Sequence, residues 1–331
     1  YGADALRFFL ATGNSPGNDM RYSETRVESC RNFANKLYNA SRFVLMNIEG
    51  HEVPLSLPTE LKLEDKWILS TLNTLCKDMT ENLEKFELGI AVSKLYDFIW
   101  DIFCDWYIEL AKIRLQQGGA AAAQAKDVLI YVLSETLKLL HPFMPFITEE
   151  IWQTLVNDGS MIMLSDYPVY DEKLNFSAEE ADFEKIIAAV KAVRNTRTEL
   201  NVPPSVKAKL YIETADADLF AGAKLFFEKL ASASEIEIGS HFEIPDSAGA
   251  VTASARIFIP MNELVDKEKE LARLEKERQK VQKDIDFLSG KLNNQGFLSK
   301  APEKLIEAEK AKLAKAQEKM DKIMKSVKAY S

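Results

Sequence analysis

The chain holds 331 residues, about twice the size of an ordinary domain, and its 47% apolar and 28% charged residues are globular rather than disordered composition. Its net charge of −9 argues, taken whole, against a nucleic-acid partner, but the charge is uneven. Residues 262–331 carry 17 Lys+Arg against 13 Asp+Glu while residues 1–261 carry 25 against 38, so a basic tail follows an acidic body.

The body reads as helices joined by Pro, Gly and Asn loops. Residues 24–48 place Val27, Cys30, Ala34, Leu37, Ser41, Val44 and Ile48 three or four apart, which predicts one amphipathic helix. Residues 60–84 repeat the pattern with Trp67, Ile68, Leu72, Leu75, Met79 and Leu83. Residues 88–115 do so with Val92, Leu95, Ile99, Ile102, Trp106, Leu110 and Ile113, and residues 122–140 with Val128, Leu129, Val132, Leu133, Thr136 and Leu140. Ala120–Ala123 reads as an exposed turn before that last helix. Pro142 and Pro145 stop it, and Thr148-Glu149-Glu150-Ile151-Trp152 opens a short one. Four or five long helices with short connections predict a bundle.

In the middle, Ser177-Ala-Glu-Glu180 matches a capping box and opens a helix that ends at Pro203-Pro204. The period then changes to two. Val206–Ile212, Glu235–Ile238 and residues 250–259 read as strands, with a helix at about 217–231, which predicts a small α/β module with a three-stranded sheet. In the tail, Leu264, Leu271, Arg278, Ile285 and Leu292 recur every seven residues, with Leu274, Val281 and Leu288 at the complementary position. After Asn293-Asn-Gln-Gly296, Ile306, Leu313, Met320 and Val327 form a second set, joined by Ala316, Ile323 and Tyr330, with Glu309 as the misfit. Two such helices predict an antiparallel coiled-coil hairpin with arms of roughly 43 Å. A basic arm is either a reaching device or an ordinary solvated stalk. The fold class expected is mainly α: a helix bundle, a small α/β module and a coiled-coil hairpin.

These residues offer no active site of their own. Gly13-Asn-Ser-Pro-Gly17 lacks the Lys-Ser/Thr of a phosphate loop. His51, His141 and His241 have no paired metal-ligand spacing, and His141 reads as a structural cap. Cys30, Cys76 and Cys104 form no CxxC, so neither a disulfide framework nor a Cys-based zinc site is supported. Asp105-Trp-Tyr-Ile-Glu109 reads as a polar cluster within the bundle. No apolar run approaches the roughly 20 residues of a membrane span, and Tyr1-Gly-Ala-Asp4 is not a signal-peptide start. The first residue is Tyr rather than Met, as expected of a piece of a longer chain. The chemistry therefore points to binding or scaffolding.

Seven stretches stand out together: Tyr1–Phe8, Ala11–Asp19, Arg31–Phe43, Phe103–Glu109, Leu140–Trp152, Val193–Pro204 and Gln295–Pro302. As a set they resemble the C-terminal portion of bacterial valyl-tRNA synthetases, class I enzymes. The first and fifth are shared with isoleucyl and leucyl relatives. Gly13–Asp19, the Arg194-Asn-Thr-Arg197 helix and the hairpin favour the valyl member, and the Cys-rich zinc module typical of the isoleucyl relative is absent. The family's ATP and valine signatures and its editing domain are absent too. The resemblance implies a parent ligase that uses ATP and Mg, attaches valine to tRNA and edits mischarged threonine, with this piece inactive alone and needing no cofactor or metal.

By the resemblance, residues 1–23 are a stem-contact or linker segment leading from an upstream catalytic domain, expected to be disordered alone. Residues 24–176 are an anticodon-binding bundle, 177–261 a connecting α/β module, and 262–331 a coiled-coil arm that reaches the outer corner of tRNA. Anticodon bases are unstacked, so they can stack on aromatics and be read on their edges. The resemblance selects Lys36 and Phe43, with Arg26, Arg31 and Arg42 as helpers. Phe43 either stacks on a base or belongs to the core. Lys283, Lys291, Lys300 and Lys304 are the candidates for the tRNA elbow, and Arg194 and Arg197 are structural braces. The partners implied are tRNA(Val) and the upstream domain of the same chain, in a cytoplasmic monomer without a membrane role. The competing readings are a non-catalytic helical scaffold whose coiled coil docks a protein, and the equivalent region of an isoleucyl or leucyl relative.

Overall fold

The computed structural model describes residues 1–12, 19–51, 57–264, 267–293 and 303–330, and their side chains apart from 267–274, 303–305, 322–323 and 325–330. The chain divides into two compact units: Tyr1–Lys191 with Asp216–Ala231 and Thr252–Ser254, and Ala192–Ala215 with Ser232–Val251 and Ala255–Ser331.

The first unit is helical. It contains α1 (Ala3–Ala11), α2 (Glu24–Asn47), α3 (Leu63–Glu84), α4 (Leu88–Asp97), a π-helical stretch (Phe98–Tyr107), α5 (Ile108–Gln117), α6 (Gly119–Leu140), α7 (Pro145–Leu155) and most of α8 (Ser177–Glu199). α2 begins at Ser23, whose side chain accepts from the Arg26 amide, and its apolar stripe buries Val27, Phe33, Leu37 and Val44. The expected helix over 88–115 is continuous, but ten of its residues are wound more widely than an α-helix. Such stretches shift the phase of a helix and recur at functional sites.

The start of the chain departs from the expectation of disorder. α1 buries Ala5, Phe8 and Phe9, and Phe8 stacks on Phe33 at 4.8 Å between centroids. Asp4 accepts from the amides of Phe146 (3.3 Å) and Ile147 (2.7 Å) at the start of α7, where negative charge meets unpaired N–H groups. Arg7 donates to the Pro142 carbonyl. Two of the recognised stretches, 1–8 and 140–152, thus tie to each other. Pro145 is the first residue of α7 rather than a breaker ahead of it, a position where its missing N–H costs nothing. Ala120–Ala123 belongs to the first turns of α6 rather than to an exposed turn, as the high helix propensity of alanine dictates.

The second unit holds a mixed sheet of four strands, β1 (Ala208–Thr214), β2 (Ala233–Gly239), β3 (Ser247–Val251) and β4 (Ala255–Pro260), in the order β2-β1-β4-β3. β1 runs parallel to β2 and antiparallel to β4, with Tyr211 opposite Phe258. The parallel pair needs a crossover, and the connecting chain carries α9 (Ala217–Gly222) and α10 (Lys224–Leu230). The three-stranded expectation is corrected. Residues 250–259 are not one strand but the end of β3, a turn at 252–254 and most of β4, and Ser247-Ala-Gly-Ala lacks the β-branched residues that would have announced β3. Arg197 is buried and donates to the carbonyls of Pro203 (3.1 Å) and Val206, so it braces the loop that follows its own helix.

After α11 (Met261–Leu264), α12 (Lys267–Asn293) and α13 (Glu303–Tyr330) pair as a helical hairpin. Cross-arm bridges Lys319–Glu277 (2.9 Å) and Lys291–Glu309 (3.4 Å) fix the antiparallel register. Arg278, assigned to the seam by its spacing, turns outward to Glu275 instead, because its charge stays in water. Glu309, the misfit, is buried on the seam and held by Lys312 (3.0 Å) and Lys291.

Candidate nucleic-acid interface

α2 positions the five bundle candidates, but it does not gather them all. Lys36 and Phe43 lie two turns apart on the border facing the π stretch and α5. The Lys36 ammonium donates to the Trp100 carbonyl (3.0 Å) and to Asp105 (2.6 Å), and sits 3.9 Å over the Trp100 ring. Trp100 in turn stacks on Tyr96 at 5.6 Å and Tyr96 on Phe33 at 4.9 Å. Phe43 is half-buried, between the two roles expected for it, and the Lys112 ammonium lies 5.1 Å over its ring. Arg42 is exposed.

Arg26 and Arg31 lean the other way, toward the start of the chain. Arg26 lies 5.4 Å over Phe9, and Arg31 lies 5.5 Å over Tyr1 while bridging Glu28 at 3.1 Å. The structure therefore sets Lys36 and Phe43 against the π stretch and α5, leaves Arg42 exposed on an adjoining face, and uses Arg26 and Arg31 on aromatics of α1 and its flank. Lys112 and Trp100 were missed from the sequence. They lie more than 50 residues beyond α2, and no local pattern links them to it.

The thiol beside this region, Cys104, is held in its neutral form. Burial pushes the Cys104 thiol up to about 12, against the lowering effect of Lys36. Cys76 is pushed up to about 12 for the same reason. His141 accepts or donates at 2.8 Å to Thr148, and burial lowers its pKa. Among the described residues, no group of three His, Cys, Asp or Glu could hold a metal, and no helix is long and apolar enough to cross a membrane.

Of Asp105–Glu109, only part is a buried cluster. Asp105 faces Lys36, and Glu109 pairs with Lys112. Tyr107 donates to Asp65 at 2.8 Å in full burial. Asp65 also accepts from Arg114 at 2.6 Å, and Glu64 lies 3.4 Å from the same guanidinium. Burial first, and the neighbouring Asp65 second, push the Glu64 carboxyl up, while burial beside Asp65 pushes the Tyr107 phenol well up. This cluster locks α3 to the π stretch and α5.

On the hairpin, Lys283 is exposed, whereas Lys291 is engaged with Glu309. Lys304 lies in the first turn of α13 with its side chain outside the described residues, and Lys300 is outside them altogether, as is the Gly13–Gly17 stretch.

Comparison with known proteins gives two domain matches. The anticodon-binding domain of tRNA ligases matches residues 65–212, and the valyl-tRNA synthetase tRNA-binding arm matches residues 266–329. α1 and α2 precede the first of these, whereas the π stretch, α6 and α7, which also pack on α2, fall inside it. The valine–tRNA ligases of Clostridium acetobutylicum and Clostridium tetani are 46% and 48% identical over 99% of this chain. That of Bacillus subtilis is 41% identical over 98%. The chain spans 38% of the length of each of these three relatives.

Proposed function

The chain belongs to the valyl-tRNA synthetase family, and from that premise we propose that it is the tRNA-gripping portion of a valine–tRNA ligase. One observation carries the reading: two different tRNA-binding domains match one chain, the first in the helical segment and the second in the hairpin. The bundle, assigned to residues 24–176, binds the anticodon of tRNA(Val). The coiled coil, residues 262–331, holds the outer corner, and residues 177–261 connect the two. Residues 1–23 lead from the catalytic part of the parent. That parent attaches valine to tRNA with ATP and Mg and removes mischarged threonine, in a cytoplasmic monomer, while this portion needs no cofactor.

Within this reading, Phe43 stacks on an anticodon base and Lys36, with Arg42, meets phosphates or base edges. Arg26 and Arg31 assist from the α1 side. Lys283, Lys291, Lys300 and Lys304 approach the tRNA elbow. The half-buried ring of Phe43 and the exposed guanidinium of Arg42 support these roles. The Lys36 ammonium must leave Asp105 to take part.

The test is binding of the chain to a tRNA(Val) transcript at two salt concentrations, beside a transcript with its central anticodon base changed and a chain lacking the hairpin. The expected result is tighter binding at low salt and loss of affinity in both controls. Equal, weak binding to every tRNA would sink the reading.

A further inference from the structure

From Ser29 to Ile48 there is no Asp or Glu, although the chain as a whole has 51. By composition a 20-residue run would hold about three, and this run is almost all of α2. Its basic members alone do not use the space so cleared. Asn35 lies three and four residues before the adjacent pair Tyr38 and Asn39, and Arg42 four and three after it, so all four share the side opposite buried Phe33, Leu37, Ser41 and Val44. All four are exposed, Tyr38 by 50%. Among the described residues none of their side chains is held by another group. Lys36 and Phe43, by contrast, lie on the edge of this stripe and are already engaged by Asp105 and Lys112.

We propose that Asn35, Tyr38 and Asn39 are the base-reading residues of α2, taking unpaired RNA bases. The proposal rests on the tRNA reading above and adds residues to it. A side-chain amide carries a donor and an acceptor, so it matches a base edge with no charge to desolvate. An exposed ring is a stacking surface for any unpaired base. Arg42 draws the phosphate, and a stripe without carboxylates does not repel it. The three residues thus supply what Lys36 and Phe43, as placed, do not: groups free to meet a base without first breaking a contact.

The experiment uses the 331-residue chain with a tRNA(Val) transcript and one altered in the anticodon. Asn35→Ala with Asn39→Ala is expected to cut the preference for the unaltered anticodon about tenfold or more. Tyr38→Ala is expected to weaken binding about fivefold or more, and Tyr38→Phe to restore it, because stacking needs the ring and not the hydroxyl. Arg42→Ala is expected to weaken both transcripts alike. Melting temperatures should not move, since all four side chains are exposed. Wild-type preference and affinity in both the double Asn variant and Tyr38→Ala would overturn this assignment and leave the tRNA reading standing. Equal binding of both transcripts by the unaltered chain would overturn the anticodon reading, and this proposal with it.

Discussion

In the bundle, Arg114 meets Asp65 at 2.6 Å and Glu64 at 3.4 Å, and every member of the group is less than a tenth exposed. In the hairpin, Glu309 meets Lys312 at 3.0 Å and Lys291 at 3.4 Å, yet those lysines are 63% and 32% exposed. Both are charged groups within a packed seam. In the first, two acids share one guanidinium, and all three groups are buried. In the second, only the carboxylate is covered, and the cations stay wet. Depth, rather than the number of ion pairs, decides what each is worth.

The largest effect expected follows from breaking the deep group. Arg114→Met leaves Asp65 and Glu64 buried without a cation and should cost about 3–5 kcal/mol, read as a lower denaturant midpoint of the helical unit. If stability is unchanged, the group is not sealed as described. An apolar control in the same unit is Leu37→Ala. Its side chain is fully buried, and the cavity should cost about 2–5 kcal/mol. The thin seam should tolerate more. Val281→Ala removes a buried side chain of the hairpin and should cost about 1–2 kcal/mol, visible as faster amide exchange confined to α12 and α13.

The smallest effect expected is at Glu309. Glu309→Leu should leave the hairpin as stable or more so while loosening its register, because an apolar seam no longer selects the Lys291 pairing. Cross-linking between cysteines placed on the two arms would read the register. Acid gives a second handle. The Lys312 hydrogen bond first, and that of Lys291 with it, hold the Glu309 carboxyl below its ordinary value. A carboxylate so lowered contributes stability that is complete above its unfolded pKa and disappears as pH falls through the folded one. Hairpin helicity should therefore fall on acidification below the usual carboxylate range, and Glu309→Gln should remove that step.

The helices were legible because their periods are local. Val27, Leu37 and Val44 announce α2 without knowledge of any partner, and the heptads of the tail announce two arms. What was hidden depends on distant residues. The buried Phe8 and Phe9 of α1 need Phe33 and Tyr22 to explain them. Asp4 reads as a helix residue until the start of α7, more than 140 residues later, proves to be what it caps. The π stretch keeps the same apolar spacing as an α-helix and leaves no mark in its sequence. For the candidate interface, Lys36 and Phe43 came from resemblance, whereas Asp105, Trp100 and Lys112 as their neighbours came only from the fold. The one local signal passed over was the acid-free run of α2.

Lys36 already has Asp105 as its counterion at 2.6 Å. A phosphate neutralised by Lys36 would give up its condensed cation, but the transfer would also leave the Asp105 carboxylate without its partner beside the incoming strand, which offsets part of that gain. Arg42, with no carboxylate on its stripe, is the residue whose binding would be counted in full in the salt slope. Two basic residues six apart on one helix would then differ in kind. One is neutralised in advance and contributes shape, and the other contributes long-range pull.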